Sequence, residues 1–234
     1  MFKKIFVLLL ISLQPVVAAE SGGPWSGTAG LGILATSGNS ETTNAQLDLG
    51  LKYDADLWHH TLLAIAAGAD SAGVTTAERY RLSYKAKRDF TEHDYLFGLL
   101  SYEKDKFSGY DQQITEAIGY GRRLINEDTQ VLNLEVGAGL KQNDLRDDTS
   151  EDSAILRLGG DYMWKFSPTA QFVQEIGIER GSDNTYFESI SAVKATLMDE
   201  LALVLSFTVK NNSDVPAGSE KQDTFTAISL EYGF

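Results

Sequence analysis

The sequence predicts an all-β, 12-stranded antiparallel transmembrane β-barrel. Three observations carry that expectation: a period-two split of apolar and charged residues, connections that alternate between short and long, and a C-terminal strand ending on an aromatic residue. The composition fits, with 21 Gly, only 4 Pro and 10% aromatic residues among 234. The absence of Cys excludes disulfides, thiol nucleophiles and thiolate metal sites, and three His leave little for a histidine-rich metal cluster. A net charge of −13 argues against nucleic acid as a partner, because phosphates recruit Lys and Arg.

The first element is a targeting segment. Lys3 and Lys4 form a basic start, Ile5 to Leu13 an apolar stretch, and Val17-Ala18-Ala19 a small-residue cleavage pattern. Gln14 and Pro15 stand where a membrane-spanning helix would have to continue. Residues 1–19 therefore read as an export signal cut after Ala19, and residues 20–234 as one barrel domain with a net charge of −15. The best later apolar run, Thr61 to Ala69, is too short for a helix to span a bilayer, which needs about 20 residues.

The mature chain then alternates. In Asn44 to Tyr53, Ala45, Leu47, Leu49, Leu51 and Tyr53 share one face, and Asn44, Gln46, Asp48, Gly50 and Lys52 the other. Five further segments repeat the split, with apolar rows starting at Tyr80, Leu132, Ala154, Leu201 and Thr224. Across the six, with Thr43 included, the apolar face has 32 positions without a charge, while the opposite face carries 13 charges. Weaker segments at Trp25–Ala35, Trp58–Ala69, Tyr95–Glu103, Gln112–Arg123, Ala170–Arg180 and Tyr186–Leu197 bring the count to twelve.

Connections of three to six residues follow the even-numbered strands except the last: Asp54–Leu57, Asp89–Asp94, Leu124–Thr129, Lys165–Thr169 and Met198–Glu200. Generally longer polar stretches, Thr36–Thr42, Asp70–Thr76, Lys104–Asp111, Gln142–Asp152, Gly181–Thr185 and Asn211–Lys221, belong at the opposite end. Gly109 and Gly218 read as turn residues there. Short turns at one rim and long loops at the other is the outer-membrane barrel asymmetry.

Alternation alone does not say which face points outward. Charges in a hydrated lumen can be solvated and paired, whereas in lipid they cannot, so the uncharged face is expected outside. Trp25, Tyr53, Trp58, Tyr84, Tyr95, Tyr162, Trp164, Phe172, Tyr232 and Phe234 lie near the short-turn ends, as expected of an interfacial girdle. Tyr232 and Phe234 close the chain as an alternating strand that resembles the C-terminal assembly signal of bacterial outer-membrane proteins. An open edge in hydrocarbon would strand backbone polar groups, so the last strand should pair with the first.

Several segments carry a family resemblance: Thr36-Ser37-Gly38-Asn39-Ser40-Glu41-Thr42, Glu78-Arg79-Tyr80, Tyr102-Glu103-Lys104-Asp105-Lys106-Phe107, Gly119-Tyr120-Gly121-Arg122-Arg123-Leu124, and Val215-Pro216-Ala217-Gly218 before Asp223-Thr224. They resemble the YdiY-like salt-induced outer-membrane proteins, the domain-of-unknown-function family 481, over Trp25 to Phe234. The resemblance implies a barrel in the outer membrane of a Gram-negative bacterium, associated with salt or osmotic response. It implies no reaction, cofactor or catalytic residue.

Chemistry is expected in the lumen. Arg79, Arg81, Lys85 and Lys87 point inward from the fourth strand, and Asp48, Glu135, Asp161, Glu175, Glu179 and Glu231 from others. A basic ladder facing acidic walls sets a transverse field suited to a narrow solute or ion channel. The alternative is that these charges pair and fill a non-conducting, structural or surface-binding barrel. A lipid-modifying enzyme finds little support: no Gly-x-Ser-x-Gly elbow is present, and His59, His60 and His93 sit at a strand start or in a turn, as interfacial or solvated residues. Asp144, Asp147, Asp148, Glu151 and Asp152 lack the order of a dedicated calcium loop and read as solvated. No cofactor is expected. Expected partners are outer-membrane lipid, lipopolysaccharide and the barrel-assembly machinery, the last through the C-terminal strand.

Overall fold

A computed structural model describes residues 23–37, 42–71, 74–105, 110–145, 149–216 and 218–234. The expected export signal at 1–19 lies outside the described residues, as do 38–41, 72–73, 106–109, 146–148 and 217. Twelve strands follow in order: β1 Trp25–Ser37, β2 Thr42–Ala55, β3 Trp58–Ser71, β4 Val74–Asp89, β5 Asp94–Asp105, β6 Tyr110–Asn126, β7 Gln130–Leu145, β8 Ser150–Ser167, β9 Ala170–Arg180, β10 Thr185–Met198, β11 Leu201–Asn212 and β12 Gln222–Gly233. Each pairs antiparallel with its sequence neighbours, and β12 pairs with β1, closing the ring. At that seam Gly27 N–H donates to the Phe234 carbonyl at 2.7 Å and Phe234 N–H to the Gly27 carbonyl at 2.9 Å, while the Phe234 ring lies where a Cβ on Gly27 would be.

The alternation sorts as expected. Leu47, Leu82, Val136, Leu158, Leu205 and Ile228 are 49 to 57% exposed, and they stand on one continuous outer surface, paired across strands with other apolar residues. Arg79, Glu135, Lys141, Glu179 and Lys210 are buried on the opposite, inner face. The inner face also holds a small apolar cluster of Leu34, Ala67, Phe225 and Ala227 at the loop end of β1, β3 and β12. One carboxylate breaks the outer pattern: Glu116 on β6 stands exposed between Leu100 and Leu140.

Two expectations need correction. Some of the polar loops are shorter than expected because the strands run into them: β4 begins at Val74, β7 runs to Leu145 and β8 begins at Ser150, within stretches expected to be irregular. Beyond the lipid both faces of a hairpin meet water, so pairing continues where apolar alternation has ended. The strands, 11 to 18 residues long, exceed the roughly 9–11 needed to cross a bilayer. The longest connection, 213–221, joins β11 to β12.

Second, Tyr95 does not belong to the girdle. It is on the inner row of β5 and fully buried, with Phe97 beside it at 3% exposure. Inner glycines make the room: Gly121, opposite Tyr95, and Gly119, opposite Phe97, have the two rings where their own side chains would be. Trp25, Tyr53, Trp58, Tyr84, Tyr162, Trp164, Phe172, Tyr232 and Phe234 do occupy the outer row near the short turns.

Candidate functional site

The strand pairings put residues of one parity on the lumen wall, and long charged side chains reach across it. Arg81 Nη1 on β4 lies 2.8 Å from Glu188 Oε1 on β10, six places away in the ring of twelve. Lys210 on β11 hydrogen-bonds Glu103 on β5, again six places away. Arg79 and Arg81 join the two contacts, at 3.8 and 3.9 Å from Glu103, and Asp105 lies 3.8 Å from Arg79 and 3.9 Å from Lys210. These six residues, three cationic and three anionic, form a transverse septum in the loop-end half of the lumen. Phe225 backs it, with the Arg79 guanidinium 4.8 Å and the Lys210 ammonium 5.6 Å from its ring centre.

A second cluster lies toward the short turns. Lys85 Nζ donates to Glu135 Oε2 at 2.6 Å, Lys87 Nζ stands 3.7 Å from Oε1, and the Tyr95 hydroxyl donates to Oε1 at 3.0 Å. The Tyr95 ring also carries Lys87 and Arg123 on its faces, at 4.8 and 5.0 Å, and Arg123 bonds both oxygens of Asp89 at 2.8 and 2.9 Å. A third cluster sets Lys141 and Arg157 on Glu179 at 2.9 and 2.7 Å.

Of the expected lumen charges, Arg79 and Arg81 thus meet Glu103, Asp105 and Glu188, none of which the sequence reading singled out. Lys85 and Lys87 meet Glu135, which it did. Glu179 takes Lys141 and Arg157, and Glu231 takes Lys194. Asp48 accepts from Gln46 at 2.8 Å, and Asp161 accepts from Asn133. Glu175 stands exposed to the lumen directly opposite Asp161 across the β8–β9 pair. Glu103 and Glu188 sit on the inner parity of the weakly alternating β5 and β10, and Asp105 and Lys210 one or two residues past the alternation of β5 and β11.

Below the septum is a chamber of about 800 Å³ lined by both charged and apolar residues. Its wall runs from Ser26 and Lys52 near the short turns to Arg81, Glu103 and Glu188. At the loop end the β11–β12 connection folds onto its neighbours: Asp214 N–H donates to Asn184 Oδ1 at 3.2 Å, and the buried Tyr110 hydroxyl lies 3.5 Å from the Asp214 carbonyl. Among the described residues no three His, Asp or Glu side chains are grouped to hold a metal ion. Of the acidic-loop residues, Asp147 and Asp148 lie outside the described set, and Asp144 accepts from Gln112 and Ser150. His59 bridges Asp54 and Asp89 at 2.8 and 3.1 Å, and His60 bonds the Tyr84 hydroxyl at 2.7 Å.

A closed ring with an apolar outer surface and an ion-paired lumen defines an outer-membrane barrel. The chain belongs to the family described as protein of unknown function, DUF481, whose model matches residues 29–234. The uncharacterized protein YdiY of Escherichia coli (strain K12) is 27% identical over 215 residues, covering 92% of this chain and 85% of that protein. Among solved structures, the NanC porin superposes with a TM-score of 0.59 at 7% identity, covering 87% of this chain and 98% of that one. The translocator domain of the autotransporter NalP from Neisseria meningitidis gives 0.55 at 12% identity, covering 92% and 90%. A porin and a translocator share this architecture, so the fold does not choose a solute.

Proposed function

We propose that this protein is a low-conductance channel in the outer membrane of a Gram-negative bacterium, delivered by the export signal at 1–19, with its short turns in the periplasm and its septum as the constriction. The chamber carries this reading: about 800 Å³ of space with charged residues on its wall is far more than a side-chain-filled barrel leaves, and Ser26 and Lys52 line it near the short-turn end. Cations and anions in the septum balance, so the passage discriminates weakly by charge. Salt screens charges facing the hydrated chamber over about 8–10 Å near physiological ionic strength and the buried wall-to-wall contacts much less, so it is through the chamber-facing side of the septum that opening is tied to external salt. That is in keeping with the salt association of the family it resembles. Tyr232 and Phe234 serve as the signal to the assembly machinery, and the loop end meets lipopolysaccharide.

Planar-bilayer recording on the refolded full chain tests this. Discrete current steps whose conductance grows faster than salt concentration are expected. Flat traces across the salt range would reject the channel and favour a non-conducting structural barrel, the reading that the two wall-to-wall contacts, Arg81 to Glu188 and Lys210 to Glu103, otherwise support. The ring nitrogens of His59 are engaged by two carboxylates and His60 by a tyrosine, which supports a non-enzymatic role.

A further inference from the structure

The outer surface at the short turn between β2 and β3 is built differently from the rest of the rim. Five rings are contiguous there. Trp25 and Tyr53 are 4.8 Å apart, Tyr53 and His60 6.0 Å, and His60 stacks between Trp58 at 5.8 Å and Tyr84 at 6.0 Å with interplanar angles of 7° and 14°. Three of them, Tyr53, Trp58 and His60, border a shallow recess of about 530 Å³ whose floor is the turn Ala55, Asp56 and Leu57.

Polar groups of both signs flank these rings. Arg88, on the outer row of β4 opposite Trp58, holds its guanidinium 5.8 Å from the Trp58 ring centre. The Tyr84 hydroxyl lies 2.7 Å from His60 Nδ1, and in the tautomer in which that hydroxyl donates, His60 carries its proton on Nε2, which has no partner among the described residues. Asp56, held at φ 46° by the two-residue turn, exposes a carboxylate that likewise has no partner among the described residues. An anion receptor, an aromatic surface and a carboxylate thus stand side by side at the edge of the apolar belt, where Leu49 and Leu51 begin the lipid-facing row of β2.

We propose that this recess binds one phospholipid of the adjoining leaflet through a phosphoethanolamine headgroup. The phosphate lies with Arg88 and His60 Nε2–H, the ammonium with the Tyr53 and Trp58 ring faces and Asp56, and the acyl chains descend over Leu49, Leu51 and Leu62. The pairing of signs selects the occupant: an anionic headgroup such as glycerol phosphate satisfies Arg88 but leaves Asp56 repelled, whereas the zwitterion satisfies both. This site is independent of whether the lumen conducts.

Native mass spectrometry on the refolded full chain, equilibrated in detergent with equal phosphatidylethanolamine and phosphatidylglycerol, reads the proposal directly. One retained phosphatidylethanolamine is expected, preferred by about tenfold. Arg88→Gln should weaken retention of both lipids by about tenfold, and Asp56→Asn should abolish the preference while leaving phosphatidylglycerol retention unchanged or raised. Arg122→Gln, on the outer row of β6 at the same rim, is the control and should behave as the parent. Equal retention of the two lipids by the parent chain, or equal effects of Arg88→Gln and Arg122→Gln, would overturn the proposal and leave only a general interfacial belt. All three exposed-surface variants must show the heat-dependent gel shift of the parent barrel, so a failed fold is seen as such.

Discussion

Arg81 and Glu188 meet at 2.8 Å although their strands stand on opposite sides of the ring, so this one contact spans the lumen from wall to wall. Two extended side chains suffice to cross it. With Lys210 and Glu103 crossing nearby, the barrel wall is tied to itself through its own interior.

The β4 ladder sets the field of the chamber below. Replacing Lys85 and Lys87 with Glu faces two new carboxylates toward Glu135, formerly held at 2.6 Å by Lys85. In an about tenfold KCl gradient the reversal potential should move toward that of a cation-selective pore. An unchanged potential would mean that ions do not pass this ladder.

The chain has no cysteine, so single thiols report sides without background. Ser83→Cys lines the chamber and Leu82→Cys stands on the outer row. In proteoliposomes a charged, membrane-impermeant thiol reagent should modify Ser83→Cys and spare Leu82→Cys, since the thiolate reacts only where water reaches it. The reverse order would invert the barrel.

Tyr95→Phe removes the hydroxyl that donates to Glu135 at 3.0 Å and should lower folding stability by about 1–2 kcal/mol in urea titration. Gly121→Val should be worse, because the Tyr95 ring occupies the space of any side chain there, 2.3 Å from the Cβ position. The expected readout is loss of the heat-modifiable band, and normal folding of Gly121→Val would contradict the inward placement of Tyr95.

Glu116 faces lipid between Leu100 and Leu140. Glu116→Leu should therefore stabilise the barrel by about 1–2 kcal/mol against urea in vesicles, the charge being costly in hydrocarbon. Destabilisation would place Glu116 at the interface or against a partner.

The sequence made the outer surface legible because lipid admits one kind of residue: Leu47, Leu82, Val136 and Ile228 could only stand together. The lumen was less legible. Water tolerates any polar residue, so parity located Arg81 and Lys85 but could not pair them; a partner six strands distant leaves no mark in local spacing. Tyr95 misled for a different reason. Its position near a short turn matches a girdle residue, and only the glycines opposite it, Gly121 and Gly119, reveal that ring-sized space lies inward. The hairpin extensions at Val74 and Ser150 were hidden because alternation fades once both faces are wet.

In the proposed channel, paired charges across the loop-end lumen, not a packed apolar plug, limit passage. Single-channel recording on the double variant Arg81→Gln with Glu188→Gln, which removes both charges of the wall-to-wall contact and keeps the side-chain length, tests it most directly. The account predicts conductance at least about twofold above the parent at low salt, with the difference shrinking as salt rises. Equal conductance of variant and parent at all salt concentrations would contradict it.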